Sequence, residues 1–322
     1  MAMEVPLHKP VMLDRCLDLL APAFEVSNPL MVDATVGLGG HTEGALKRFP
    51  QLTVIGIDRD PSALAYASER LAPFGDRFIP FQGTYDQIPL ALDDRLANGI
   101  LMDLGVSSMQ LDEVERGFSY AHDAPLDMRM DPTSGESAAE LLARVERGEL
   151  VRILRRYGDE KFAPRIADLV IRTRSVTPLT TTGQLVEIIR SAIPAAARRT
   201  GGNPAKRTFQ AIRIAVNDEL GILEAAVPAA LASLTVGGRL VVESYQSLED
   251  RIIKEIFREG SDPHVPAGLP MTASDLDKLR SLRLLTKGAE RAPAEEAAQN
   301  PRSIPVRLRA AELLTPWRNH VS

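Results

Sequence analysis

The sequence predicts a doubly wound α/β domain that is interrupted by an all-helical insertion. Over the first third of the chain, short apolar runs alternate with helix-like segments, and strands that alternate with helices form parallel βαβ units. From about residue 112 to residue 206 this alternation stops, and apolar residues recur at helical spacing. The α/β pattern then resumes. We therefore expect residues 1–112 and 207–322 to form one domain and residues 113–206 to form a second, helical one.

Four apolar runs in the first third are predicted strands. They cover residues 30–34, 54–57, 77–81 and 99–102. After the second run, Asp60 and Pro61 have the residue types preferred at a helix N-cap and in the first helical turn. We expect an amphipathic helix from there to about Leu71.

The later elements follow from the same rules of periodicity and capping. Helices are expected over residues 149–157, 160–174, 182–193 and about 207–234. A strand over residues 239–243 follows a pair of glycines, and residues 247–250 begin another helix. Residues 282–285 and 306–309 are expected to close the sheet as an antiparallel pair.

Composition restricts the class of protein. The 322 residues carry a formal net charge of −5, which argues against a protein that coats nucleic acid along its whole length. No apolar run reaches the roughly 20 residues that span a bilayer, and residues 1–10 lack the pattern of a signal or transit peptide. The single cysteine cannot form an internal disulfide, and the five histidines lack metal-ligand spacing. We expect a cytoplasmic protein with no membrane segment and no metal.

The charge is distributed unevenly. Residues 151–213 contain 13 Lys and Arg but 4 Asp and Glu, a local charge of +9 that leaves −14 elsewhere. This asymmetry favours a surface for a polyanion, although solvated helix faces that happen to be basic would give the same composition. The hypothesised phosphate contacts are Arg152, Arg155, Arg156, Lys161, Arg165, Arg172 and Arg174.

Residues 32–41, VDATVGLGGH, predict a strand, a tight glycine turn and a helix that begins at about Thr42. Glycines let the backbone approach a ligand closely, and a helix N-terminus favours negative charge. A dinucleotide-binding fingerprint would need another glycine three residues after Gly39, where Thr42 stands. Without a pyrophosphate to hold, the turn suits the amino-acid end of S-adenosylmethionine.

Acidic residues end three of the predicted strands. Asp58 ends the second, 19 residues after Gly39, where a carboxylate can accept hydrogen bonds from both ribose hydroxyls. NAD enzymes also place an acid there, and Asp58 could instead begin the next helix, although Asp60 already fills that role. Asp33 and Asp103 end the first and fourth strands, whose carboxyl ends share one edge of a parallel sheet. Together with the glycine turn, these acids predict a site for an adenosine-containing ligand.

Several apolar side chains are candidates for contact with a base. Tyr85 follows the third strand, where its ring could cover an adenine, although a tyrosine at a strand end is often only part of the core. Phe118, Tyr120, Met128 and Met130 could wall a pocket for a target base. They could equally pack between the two domains.

Segments over nearly the whole chain resemble the RsmH (MraW) family of bacterial 16S rRNA cytosine-N4 methyltransferases. The most specific are residues 103–112, DLGVSSMQLD, and 125–131, PLDMRMD. The others are residues 8–11, 39–41, 57–60, 116–120, 207–211, 247–251, 265–270 and 300–302. The resemblance implies a Rossmann-like class I methyltransferase domain. It also implies methylation of the exocyclic N4 of a cytidine in the decoding region of 16S rRNA, within the small ribosomal subunit.

The resemblance also implies a set of cofactor contacts. S-adenosylmethionine would be bound by Gly39, Gly40, His41, Asp58, Tyr85, Asp103 and Gln110. The family usually has phenylalanine at the position of Tyr85, so an aromatic ring is retained. The helical insertion would help to hold the rRNA, in agreement with its positive charge.

Two departures from the family pattern concern RNA contacts or turnover more than cofactor binding. Tyr245 and Gln246 stand where the family commonly has Phe-His, and residues 303–306 stand where an Arg-Ser pair is usual. If the histidine moves a proton in the family, Gln246 cannot replace it, because an amide does not titrate near neutral pH.

Asp103 is the candidate catalytic residue. The lone pair of a cytosine N4 is delocalised into the ring, so methyl transfer needs in-line placement, and a hydrogen-bond acceptor for N4 would help. Many amino-group methyltransferases have two prolines and an aromatic residue after this acid, whereas Asp103 precedes Leu-Gly-Val. Asp103 could therefore serve only the methionine end of the cofactor.

Two other functions are compatible with part of the sequence. A nicotinamide-dependent oxidoreductase is disfavoured by Thr42 at the third glycine position and by the lack of a motif for a hydride site. A non-catalytic RNA-binding or ribosome-assembly factor that retains the fold stays open because of the departures at Gln246 and residues 303–306.

Overall fold

The computed structural model describes residues 10–198, 203–262, 272 and 279–317. Within them lies one seven-stranded sheet. Its strands are β1 (Leu30–Asp33), β2 (Thr53–Asp58), β3 (Phe78–Gln82), β4 (Ala97–Asp103), β5 (Leu234–Ser244), β6 (Leu282–Leu284) and β7 (Arg307–Leu313). The predicted strands are confirmed within a few residues, except that β5 begins five residues earlier than predicted.

The strand order across the sheet is β3-β2-β1-β4-β5-β7-β6. Strands β1 to β5 are parallel, and β7 runs antiparallel between β5 and β6. The chain therefore winds outward from β1 to β3 and then crosses back to β4, which confirms the doubly wound fold. In such sheets ligands bind outside the carboxyl ends of the strands, at the point where the winding reverses.

Helices flank the sheet and make up most of the central segment. They are α1 (Leu13–Leu20), α2 (Gly40–Arg48), α3 (Pro61–Leu71), α4 (Ile88–Leu92), α5 (Ser108–Asp112), α6 (Ala138–Arg144), α7 (Arg147–Gly158), α8 (Ala163–Arg174), α9 (Thr182–Ala192), α10 (Ala195–Arg198), α11 (Ala205–Asn217), α12 (Glu219–Ala232), α13 (Ser247–Ser261) and α14 (Ala294–Gln299). Asp60 caps α3 as predicted, since its carboxylate accepts a hydrogen bond from the Ser62 amide at 3.0 Å. Among the described helices, none is long and apolar enough to cross a membrane.

The chain divides into two compact units. The first, the α/β unit, contains residues 1–105 and 221–322, and the second, the helical unit, contains residues 106–220. Every residue of β1 is buried, as expected for a parallel strand that is covered on both faces. The helical unit has a core of its own, in which Leu154 and Ile189 are fully buried.

The helical unit is larger than the predicted insertion because it includes α5 and α11. Helix α11 packs against α7, and its Phe209 and Ile212 belong to the core of the helical unit. The single helix expected over residues 207–234 is in fact two helices. Asp218 adopts a left-handed conformation, with φ of 47°, which ends α11 one residue before α12 begins.

Two of the family-like segments are only partly covered by the structure or not at all. Residues 8 and 9 of the first segment, and all of residues 265–270, lie outside the described residues.

Candidate functional site

Three acids meet at the carboxyl edge of the parallel strands. Asp33 ends β1, Asp58 ends β2 and Asp103 ends β4. In the sheet Asp33 pairs with Gly56 of β2 and with Leu101 of β4. Asp58 and Asp103 each lie two residues further along their strands than these pairing positions. The predicted clustering of strand-end acids in the α/β unit is confirmed.

Asp33 connects β1 to the start of α2. Its Oδ2 accepts a hydrogen bond from the Thr42 hydroxyl at 2.6 Å, and its Oδ1 accepts from the Thr35 amide at 3.3 Å. The side chain is almost completely buried, and this burial raises its pKa. These contacts give Asp33 a structural role that positions the glycine turn.

The glycine turn follows Asp33 and is fixed to the end of β2. The amide of Gly37 donates to Asp58 Oδ2 at 2.9 Å, and the amide of Val36 donates to the carbonyl of Ile57 at 2.9 Å. Gly39 has φ of +79°, a left-handed conformation that favours glycine, and it is the N-cap of α2. Helix α2 begins at the next residue, slightly earlier than predicted. The turn therefore presents backbone at a helix N-terminus, which fits a polar ligand end.

Asp58 accepts backbone hydrogen bonds on both carboxylate oxygens. Gly37 donates to Oδ2 and the Asp60 amide donates to Oδ1, each at 2.9 Å. Burial raises the pKa of Asp58 to about 6, against the opposing effect of these two hydrogen bonds. Each carboxylate oxygen has a second lone pair, so the group keeps acceptor capacity for ligand hydroxyls.

Asp103 is held by two neighbours. The hydroxyl of Tyr245 donates to its Oδ1 at 2.9 Å, and its own amide donates to the Thr35 hydroxyl oxygen at 2.7 Å. Its side chain keeps 29% exposure, so part of the carboxylate remains accessible. Burial raises the pKa of Asp103, while His41 and the Tyr245 hydrogen bond lower it. The Tyr245 contact was not predicted from sequence, where Tyr245 was noted only as a departure from the family.

His41 lies in the first turn of α2 and is buried. Its Nε2 is 3.0 Å from the carbonyl oxygen of Val11, which can only accept, so Nε2 carries a proton in this contact. Its Nδ1 faces Asp103 Oδ2 at 3.8 Å. The imidazole therefore lies beside the carboxylate of Asp103 without a hydrogen bond to it.

Glu243 was missed by the sequence analysis. It lies in β5, is completely buried, and neither carboxylate oxygen has a hydrogen-bond partner among the described residues. Burial, reinforced by the charges of Asp103 and Glu296, raises its pKa well above the usual range. An acid within the apolar run of a central strand was the signal that could have revealed it.

Tyr85 and Gln110 complete the predicted cofactor set. Tyr85 begins a short 3₁₀ helix after β3, and its half-buried ring packs against the core of the α/β unit. Gln110 belongs to the helical unit, where its side chain accepts from the Ser107 amide at 3.0 Å and closes a capping box at the start of α5. Gly40 leaves no room for a side chain, since a Cβ there would lie 2.5 Å from Pro10.

The basic residues of the helical unit separate into two kinds. Six are exposed, and they lie on α7, on α8 and just before α8: Arg152, Arg155, Arg156, Lys161, Arg165 and Arg172. Arg174 differs, because its Nη1 donates to the carbonyls of Leu142 at 2.6 Å and Val145 at 2.7 Å. Arg174 therefore ties α8 to the end of α6.

The four candidate base-pocket residues lie in the helical unit. Met128 is buried in its core, and the ring of Tyr120 packs edge-on against Phe209 with centroids 5.7 Å apart. Phe118 and Met130 are also buried. Met128 and Tyr120 therefore pack within the helical unit.

Comparison with known proteins shows the family of the chain. Residues 6–314 match the MraW methylase family. The chain is 54% identical to a protein of Beutenbergia cavernae over 98% of this chain and 96% of that protein. It is 56% identical to a protein of Mycolicibacterium smegmatis over 95% of this chain and 83% of that protein. Both relatives are named "Ribosomal RNA small subunit methyltransferase H".

A match over almost the whole chain covers both the strand-end acids and the helical unit. The chain therefore belongs to the MraW methylase family and is an S-adenosylmethionine-dependent methyltransferase.

Proposed function

We propose that this protein transfers a methyl group from S-adenosylmethionine to the exocyclic N4 of a cytidine in the decoding region of 16S rRNA. The observation that carries the proposal is the Asp103 carboxylate, which the Tyr245 hydroxyl orients at the carboxyl edge of the sheet. The names of the relatives support a small-subunit rRNA substrate. The choice of N4 and of the decoding region rests on the sequence resemblance.

The cofactor site is proposed to lie along the glycine turn and the strand-end acids. The turn at Gly39 and Gly40 and the start of α2 would face the amino-acid end of the cofactor. Asp58 would accept from the ribose hydroxyls, and Tyr85 would cover the adenine. The remaining proposed contacts are His41, Asp103 and Gln110. When bound, the cofactor supplies an electrophilic methyl group on a sulfonium.

Asp103 is proposed to accept a hydrogen bond from the N4 amino group. Methylation draws electrons from a nitrogen whose lone pair is delocalised into the ring, and a fixed acceptor stabilises the charge that develops there. Tyr245 holds Oδ1 of this carboxylate, which leaves Oδ2 as the more available acceptor. The same carboxylate could bind the cofactor's amino group, and the two roles predict different kinetic effects.

The helical unit is proposed to hold the rRNA. The exposed cations of α7 and α8 present positive charge that could contact phosphates, independently of base sequence. A target base must leave its stack to be methylated, so a single-stranded or splayed segment is the expected substrate. We also expect the protein to act in the cytoplasm, where small ribosomal subunits are assembled.

The direct test uses small ribosomal subunits from cells that lack this methylation. The protein is incubated with them and with labelled S-adenosylmethionine, and the 16S rRNA is then cut into defined fragments. We expect label in the fragment that contains the decoding region. Label in another rRNA would reject the proposed substrate, and no label in any RNA would favour the non-catalytic assembly factor.

A further inference from the structure

Three buried side chains of the α/β unit meet below the strand-end acids. Cys16 comes from α1, His41 from the first turn of α2, and Glu243 from β5. One thiol sulfur, one imidazole nitrogen and one carboxylate oxygen all lie within 4.8 Å of one another. The proposed methyl transfer uses neither Cys16 nor Glu243.

The hydrogen bonding of this group is incomplete. His41 Nε2 is 3.0 Å from the Val11 carbonyl oxygen and 3.4 Å from Glu243 Oε2, so two oxygens compete for one imidazole proton. The contact with Val11 satisfies hydrogen-bond geometry. Neither Glu243 oxygen has a partner with such geometry among the described residues, and the Cys16 thiol is the side-chain donor that interacts with its carboxyl group. A thiol is a weak donor, so a buried carboxyl group with no better partner is costly and its presence requires an explanation.

A cation would satisfy all of these atoms at once. The Cys16 sulfur, a His41 ring nitrogen and a Glu243 carboxylate oxygen each carry a lone pair and lie within 4.8 Å of one another. Nearby carboxylates of Asp33, Asp103 and Glu296 interact electrostatically with Glu243, which further favours positive charge there. A thiolate and a carboxylate would neutralise a divalent ion, which reduces the cost of burying the charges.

We propose that Cys16, His41 and Glu243 form a buried zinc-binding site with three protein ligands. Zinc takes sulfur, imidazole nitrogen and carboxylate oxygen in tetrahedral sites whose ligand atoms lie roughly 3.3–3.7 Å apart, given the usual bond lengths. The separation of 3.4 Å between His41 Nε2 and Glu243 Oε2 already fits. The other separations in the group are at most 4.8 Å, so side-chain movements of about 1 Å reach the same spacing.

The surroundings of His41 match those of a zinc ligand. With Nε2 on the metal, the proton moves to Nδ1, which faces Asp103 Oδ2 at 3.8 Å. A carboxylate that accepts from the second nitrogen of a ligating histidine is a common way to orient such a ligand. The ion would tie α1 and α2 to β5, directly below the proposed cofactor site.

This inference departs from the expectation of a metal-free protein. That expectation rested on local spacing, and the three ligands lie far apart in the chain. The inference does not depend on the identity of the methylated base, because zinc content is measured without a substrate.

Metal analysis of the purified, full-length protein tests the proposal. We expect about one zinc per chain after extensive dialysis, because a closed protein site releases its ion slowly and binds it tightly. After removal with a chelator, added Zn²⁺ should restore this stoichiometry and raise the melting temperature. Co²⁺ should give a thiolate-to-metal absorption band. Folded wild-type protein that takes up no zinc under titration would overturn the site.

Variants locate the ion. Cys16→Ala and Glu243→Gln should each lower bound zinc to less than about a tenth of the wild-type stoichiometry, since each removes one of the three protein ligands. Glu160→Gln is the matched control, because Glu160 is also a buried carboxylate but lies in the helical unit. If Glu243→Gln does not fold, Cys16→Ser decides, through loss of the cobalt band. Folded Cys16→Ala and Glu243→Gln proteins that keep a full complement of zinc would place the ion elsewhere and contradict the proposal.

Discussion

The hydroxyl of Tyr245 donates a hydrogen bond to Asp103 Oδ1 at 2.9 Å, so a residue at the end of β5 fixes the acid at the end of β4. Tyr245 is a position at which this chain departs from the family pattern, and the contact connects it to the candidate catalytic carboxylate of Asp103. A phenylalanine there would pack in the same place but could not orient Asp103.

The Tyr245→Phe variant removes this orientation and little else. We expect kcat for methyl transfer to fall about tenfold, since a hydrogen bond to a charged group contributes about 1.5–3 kcal/mol and part of that persists as charge develops. If Asp103 serves the N4 group, the Kd for S-adenosylhomocysteine should change little. A loss of binding with an unchanged kcat would assign Asp103 to the cofactor instead.

Tyr66→Phe is the control for this comparison, because Tyr66 lies on α3 in the same unit and is similarly half-buried. Its kcat and Kd should match the wild type. An equal decrease in both variants would indicate a general effect of removing a hydroxyl from the α/β unit.

Cofactor affinity should depend on the ionisation of Asp58. Burial raises its pKa to about 6, so the carboxylate that accepts from ribose hydroxyls prevails above that pH and is lost below it. We therefore expect S-adenosylhomocysteine binding to be constant from pH 7 to 8. It should weaken by up to about tenfold per pH unit well below pH 6, because one proton competes with the ligand.

Calorimetric titrations at several pH values measure this dependence. The Asp58→Asn variant should bind more weakly at high pH and should lose the acid dependence. Affinity that stays flat from pH 5 to pH 8 in the wild type would show that Asp58 does not contact the ligand as a carboxylate.

The exposed cations of α7 should contribute to RNA binding through phosphates. Charge reversal at Arg155 and Arg156 should weaken binding to undermethylated small subunits and lower the salt slope by roughly 0.7 for each lost phosphate contact to a single strand. The same change in total charge at Lys254 and Arg258, which are exposed on α13, is the control. Equal effects of the two pairs would attribute binding to net charge alone.

Arg174 and Arg172 are expected to differ in their contribution to the free energy of unfolding. Arg174→Ala removes two hydrogen bonds to the carbonyls that end α6, so the free energy of unfolding should fall by about 2 kcal/mol. Arg172 is exposed at the end of the same helix, and its replacement by alanine should change stability by less than about 0.5 kcal/mol. Urea denaturation compares them, and equal stabilities would argue that the contacts of Arg174 contribute nothing.

The sequence predicted much of the α/β unit because local signals and long-range packing agree there. The apolar runs became β1 to β4, and Asp60 with Pro61 began α3 as expected. The prediction was wrong at Asp218, since the apolar pattern continues from α11 into α12 although the backbone turns between them. A non-glycine residue in a left-handed conformation gives little signal in a single sequence.

The site was predictable only in part. Strand-end acids and glycine turns follow from topology, so Asp33, Asp58 and Asp103 could be placed together. The contacts of Tyr245, His41 and Glu243 depend on how β5, α1 and α2 pack across the sheet, and no local pattern encodes that packing. The pairing of Arg174 with backbone carbonyls has the same origin, and a count of basic residues could not distinguish it.

The atom that receives the methyl group is the decisive measurement of the proposed reaction. Undermethylated small subunits are incubated with S-adenosylmethionine and with either the wild type or Asp103→Asn, and the nucleosides of the 16S rRNA are analysed by mass spectrometry. We expect N4-methylcytidine with the wild type and at least tenfold less with Asp103→Asn, because an amide is a weaker acceptor than a carboxylate. A methyl group on another atom, or equal N4-methylcytidine from both proteins, would contradict the proposed reaction.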